Sequence, residues 1–142
     1  MRAGVGRYVS APILMVSMVK LGIHSPLVQR FFQVMAWLLV LAIIVLSLGP
    51  PSTRPVTGSG HNFEHVLIFV ATGGAFGLGY PRRFALLPFA LLFFSAAIEF
   101  AQMMVAGRHA RLSDFLTDAA ASWAGIGLSF ILVKLAAVTS KD

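Results

Sequence analysis

The stretch FALLPFALLFFSAAIEFAQMMV, residues Phe84–Val105, carries a single ionisable side chain, Glu99, in an otherwise apolar run. As a helix rising about 1.5 Å per residue, such a run is long enough to cross roughly 30 Å of hydrocarbon. Three further segments behave alike with their flanks: Phe31–Pro51, Val66–Pro81, and Phe115–Val138, which has acid near its start and Lys134 near its end. With 58% hydrophobic and only 11% charged residues, the chain of 142 residues is far from the charge content of a soluble globular domain. These features predict an all-α polytopic membrane protein, a bundle of four transmembrane helices.

The predicted boundaries follow from helix punctuation. The first helix stops at Gly49-Pro50-Pro51, and the Pro-, Gly-, Ser- and Thr-rich stretch from Ser52 to Gly60 reads as an outer loop. Asn62 is placed to cap the second helix, with Glu64 in its first turn, where the helix dipole favours a carboxylate. Tyr80-Pro81-Arg82-Arg83 makes a hairpin of the second and third helices. Gly107 can end the third helix, and Ser113 can cap the fourth. The domain is therefore 31–138, with a short tail over 139–142. Residues 1–30 form an interfacial or disordered tail, because the apolar run Ala11–Val19 is too short to span and Pro12, Gly22 and Pro26 interrupt it. A signal peptide or a later start at Met15 or Met18 are the alternatives there.

Gly73 and Gly77 are four apart, as are Ala121 and Gly125, a spacing that lets helix backbones approach closely in lipid. Packing within one bundle is the expected use, and a homodimer through the same faces is the alternative. The chain has no cysteine, which removes disulfides, thiol nucleophiles and Cys-ligated zinc. Its net charge of +6 is scattered between apolar runs, without the basic stripe of a nucleic-acid binder, so no nucleic acid is expected as partner.

With four spans, Arg2, Arg7, Lys20, Arg30, Arg82, Arg83, Lys134 and Lys141 share one side, against Arg54, Arg108 and Arg111 on the other. The positive-inside rule then places both termini in the cytoplasm. Four of the five acids, Glu64, Glu99, Asp114 and Asp118, fall in the outward layer, with His61, His65, Arg108, His109 and Arg111. Glu99 is expected about six residues inside the end of its helix, roughly 9 Å below the interface. An ionisable group there marks a site by default. Gln102 shares its face, as Asp118 shares that of Asp114. The resulting site has Glu99 and His65 as candidate catalytic residues, and Gln102, Arg108, Arg111, Asp114, Asp118 and Glu64 as candidate substrate-binding residues.

The residues from Gly60 to Gly127 resemble the VanZ-like family of small membrane proteins, named for a member associated with resistance to the glycopeptide antibiotic teicoplanin. The resemblance rests on His65 with Phe69 and Gly73, on Ile98-Glu99-Phe100-Ala101-Gln102, on Gly107-Arg108, and on Asp114-Phe115 and Asp118-Ala119. It departs where members carry Asp-Lys, since His61 and Asn62 stand there. The resemblance implies a multi-pass protein of the bacterial inner membrane whose biochemical activity is poorly defined.

His61-Asn62-Phe63-Glu64-His65 also fits H-x-x-E-H, an inverted zinc-protease signature. With Asn62 read as a cap, the motif is not assigned a metal, and no cofactor is expected. Three readings follow. The first is binding or processing of a lipid-linked or glycan envelope substrate beside the membrane lipids. The second is a scaffold whose polar cluster only locks the bundle. The third is a proton- or cation-coupled transporter, which four helices without internal repeats support poorly.

Overall fold

The computed structural model describes residues 25–49, 61–105 and 111–138. Within them the chain forms four α-helices: α1 (Pro26–Leu48), α2 (His61–Gly79), α3 (Leu87–Gln102) and α4 (Leu112–Val138), with a 3-10 turn at Pro81–Arg83. The expectations for residues 1–24, for the loop ending at Gly60, for Gly107, Arg108 and His109, and for 139–142 lie outside the described residues, as do the side chains of His61 and Asn62.

Four boundaries differ from the expectation. α1 begins at Pro26, five residues before the predicted domain start. Proline there starts the helix instead of interrupting a tail, because its fixed φ suits the first turn and its missing N–H has no intrahelical partner to lose. Ser25 is extended at its N-cap, and the Gln29 N–H donates to the Ser25 carbonyl at 3.0 Å. Asn62 lies inside α2, one residue after its start, so it does not cap the helix. Ser113 is likewise in the first turn of α4: the Asp114 and Phe115 N–H groups both donate to the Arg111 carbonyl, at 2.9 and 3.2 Å, which puts Arg111 in the cap position. α3 ends at Gln102, so Glu99 is three residues from its last residue, roughly 4.5 Å in depth and not 9 Å.

The lengths also separate the helices. α1 (23 residues) and α4 (27 residues) are long and apolar enough to cross a membrane, while α2 and α3 are shorter apolar helices. α3, with 16 residues, is just under the ~17 needed for a span.

Two antiparallel hairpins build the bundle. In the first, Gln33 Nε2 of α1 donates to the Gly79 carbonyl at 2.8 Å and Trp37 Nε1 to the Tyr80 hydroxyl at 3.2 Å. In the second, Trp123 Nε1 of α4 donates to the Pro88 carbonyl of α3 at 3.0 Å. The hairpins join through α2 and α4, which run parallel and make the most extensive contact in the fold. That contact is a small-residue seam: a Cβ at Gly73 would be driven into the Ser122 carbonyl, one at Gly125 into the Val70 carbonyl, and one at Gly77 into the Ser129 side chain. The glycines thus serve packing within the bundle.

The apolar core forms two layers, Ile43, Phe69, Ile98 and Ala121 toward the end where α3 stops, and Ala36, Ala75, Phe76, Leu87, Leu91 and Ile126 toward the other. Large apolar side chains also point outward from every helix, among them Leu41, Leu67, Phe93 and Ile131. Meanwhile Ser47, Thr72, Ser95, Gln102, Asp118, Ser122 and Ser129 are buried. The outward surface departs from the usual arrangement in water, where exposed apolar residues are scattered singly.

Gly73→Ala is expected to lower bundle stability by about 1–3 kcal/mol through overpacking, read as reduced thermal stability of the detergent-purified protein. Gly127, where an added Cβ meets nothing within 4 Å, supplies the control: Gly127→Ala should be neutral or stabilising by up to about 1 kcal/mol. Equal responses at both positions would contradict the seam.

Candidate functional site

The end of α3, the start of α4 and the first turns of α2 meet at one end of the bundle, and each brings an ionisable group there because of where its helix begins or stops. Glu99, half-buried in the last turn of α3, accepts a hydrogen bond at Oε1 from the Arg111 backbone N–H. Arg111 leads into α4, so the carboxylate both satisfies an N–H without an intrahelical partner and meets the positive end of the α4 dipole. The contact also pins the end of α3 to the start of α4.

One turn separates Asp114 from Asp118 on α4, and the two have different partners. Asp114 is half-buried and accepts at Oδ1 from the Ser113 hydroxyl at 3.0 Å. Asp118 is 3% exposed, and its Oδ1 lies 3.4 Å from Nδ1 of His65 on α2. That is ion-pair range, yet Oδ1 receives no hydrogen bond from the described residues at this geometry. The His65 ring stacks on Phe69, centroids 6.3 Å apart at 23°, which fixes the imidazole plane. Glu99 lies within electrostatic reach of Asp114, Asp118 and His65, so these four groups form one cluster.

The remaining predicted residues are distributed around it. Gln102, the last residue of α3, is buried one turn beyond Glu99, on the same face. Arg111 is exposed beside the cluster, and Arg108 lies outside the described residues. Glu64 is half-buried in the first turn of α2; as the neighbour of His65 it points about 100° away around the helix. The structure pairs His65, a candidate catalytic residue beside Glu99, with Asp118.

Sequence reasoning missed the polar residues beneath the cluster. Ser122, fully buried one turn below Asp118, and Ser95, one turn below Glu99, have hydroxyls without hydrogen-bond partners among the described residues. An unsatisfied buried hydroxyl costs about 1–3 kcal/mol, so these positions suit a water or a ligand group. Thr72 and Ser129 instead donate to their own helices, to the Ile68 and Ile126 carbonyls, both at 2.7 Å. The signal was present in the spacing: Asp118, Ser122, Gly125 and Ser129 recur every three or four residues and share one face of α4.

The H-x-x-E-H spacing does fall on a helix, since α2 begins at His61. Among the described residues, however, no three His, Asp or Glu side chains are grouped to hold a metal ion, and His65 is directed to Asp118. The chemistry within reach is proton handling: a buried carboxylate lies in ion-pair range of an imidazole, and a second carboxylate sits nearby.

His65→Leu should leave the Asp118 carboxylate buried and unpaired, lowering stability by about 1–3 kcal/mol. Adding Asp118→Asn should recover at least half of the loss. A double-mutant cycle by thermal or denaturant unfolding in detergent then gives a coupling of about 0.5–3 kcal/mol; strictly additive effects would refute the pair.

Compared with known proteins, the chain matches no family model, no curated protein and no solved structure.

Proposed function

We propose that the chain is a multi-pass protein of the bacterial inner membrane, of the VanZ-like type, with cytoplasmic termini, and that its outward end binds the head group of a lipid-linked or glycan substrate of the cell envelope. The observation that carries the reading is the convergence of His65, Asp118 and Glu99 where three helix ends meet, with Asp118 only 3% exposed. A buried acid held against an imidazole is costly to maintain for packing alone, since apolar residues of similar volume often fold as well or better.

The membrane part of the reading is supported by α1 and α4, each long and apolar enough to span, and by the many large apolar side chains that face outward. α2 and α3 then cross as shorter helices, which local thinning of the bilayer accommodates at modest cost. The excess of Lys and Arg on the side of the termini supports the orientation.

In this assignment Asp118 fixes the imidazole of His65, which accepts or donates a proton on a ligand hydroxyl. Glu99 commits Oε1 to the Arg111 N–H, leaving its second oxygen for the ligand. Arg111, exposed at the rim, meets any anionic part of the substrate.

A second reading, the structural lock, is favoured by one observation: the Glu99–Arg111 contact fastens α3 to α4 whether or not a ligand arrives. Glu99→Gln separates the two, because the amide oxygen still accepts the Arg111 N–H while the charge is lost. A substrate site predicts a protein that accumulates at the wild-type level but loses its envelope phenotype, such as a change in glycopeptide sensitivity. Wild-type behaviour of Glu99→Gln would leave the lock. Alkaline phosphatase fused after Gly58 should be active, and an inactive fusion would overturn the orientation.

A further inference from the structure

The end of the bundle opposite the carboxylates has a different character. A cavity of about 320 Å³ opens between α1 and α3, with α2 as its floor, and its lining includes Trp37, Phe76, Tyr80, Arg83, Leu91 and Phe94. That volume falls in the range of about 300–1,000 Å³ typical of small-molecule sites. The aromatic floor is mutually packed: Trp37 meets Phe76 edge-on with centroids 5.6 Å apart, and Phe76 stacks with Tyr80 at 5.9 Å. α1 and α3 touch only sparsely, so the groove is left between them.

Among the described lining residues, the polar side chains Trp37, Tyr80 and Arg83 gather at one end of this groove. Trp37 Nε1 and the Tyr80 hydroxyl bond to each other there, the amphipathic pair typical of a membrane interface. Arg83 completes that end from the 3-10 turn, where Arg82 is also exposed. The described acids, Glu64, Glu99, Asp114 and Asp118, all lie toward the other end of the bundle, so no described carboxylate neutralises Arg83. A long apolar slot closed by an interfacial aromatic pair and a cation is complementary to an acyl chain attached to an anionic phosphate.

We infer that this groove holds one acyl chain of an anionic phospholipid, with Arg83 against the head-group phosphate. The inference rests on the membrane part of the reading above and is independent of the carboxylate cluster. A guanidinium near an anionic leaflet favours the charged lipid by about fivefold over a zwitterionic one.

The test uses the full chain purified in detergent, given phosphatidylglycerol or phosphatidylcholine of matched chains, with retained lipid counted by native mass spectrometry. Wild type should retain one phosphatidylglycerol about fivefold more readily than phosphatidylcholine. Arg83→Gln should abolish that preference, and Ala90→Phe, which fills the groove from its exposed rim, should lower retention of both lipids. Arg82→Gln should keep most of the preference, because Arg82 is on the same turn but does not line the groove. Equal retention of the two lipids by wild type, equal losses from Arg82→Gln and Arg83→Gln, or indifference to Ala90→Phe would each overturn the inference. Glu99→Gln should leave lipid retention unchanged, so failure of the substrate site and failure of the lipid groove are read separately. A chain that stays monomeric in water without detergent would remove the membrane reading and this inference together.

Discussion

The close approach of α2 to α4 is the constraint on which the other features depend. Glycine at 73 and 125 lets each backbone come against a carbonyl of the other helix, Ser122 and Val70 respectively. Contact at that distance requires glycine at both positions in the observed register, because a Cβ at either one would run into the partner's backbone. The same register carries His65 onto Asp118, two turns nearer the helix starts. The imidazole–carboxylate pair is therefore a consequence of the glycine seam. A change that widened the seam would separate the pair without touching either residue.

The seam also explains the distribution of polarity. Helices that touch through glycine and serine bury small polar side chains and turn their large apolar ones outward, as Phe93, Leu67 and Ile131 are turned here. In hydrocarbon, association through apolar surface gives no net gain, whereas close packing of small residues does. In that setting each buried hydroxyl needs a partner. Thr72 and Ser129 find theirs on their own helices, where they cost little. Ser95 and Ser122 find none among the described residues, and each lies one helical turn below a member of the carboxylate cluster.

Much of this was legible in the residues, and the divide is physical. Apolar length and helix punctuation marked all four helices, and the spacing of Gly73, Gly77, Ala121 and Gly125 marked the seam, since both depend on neighbours within a turn or two. The clustering of the acids followed from alternating helix direction. Pairing did not follow. That Glu99 takes the Arg111 N–H, and that His65 goes to Asp118, depends on the register between helices far apart in sequence, which periodicity along one helix does not contain. The capping assignments failed for a related reason: Asn62 and Ser113 have the right chemistry, but each helix starts ahead of them, at His61 and Leu112. Pro26 was misread because a proline that would break a helix interior is equally suited to begin one.

The charge of the cluster narrows what the proposed site would accept. Among the described residues it gathers three carboxylates, Glu99, Asp114 and Asp118, against one imidazole and the exposed Arg111. A phosphate entering that arrangement meets more acidic than basic side chains among the described residues, and like charges brought together in a partly buried site repel. Hydroxyl groups of a sugar meet no such penalty, because carboxyl oxygens accept hydrogen bonds and an imidazole can donate or accept. A substrate of the proposed kind would then meet the cluster with its glycan portion, with any phosphate kept at the rim where Arg111 stands. The two ends of the bundle would then divide the work by charge, carboxylates toward sugar on one side and arginine toward phospholipid on the other.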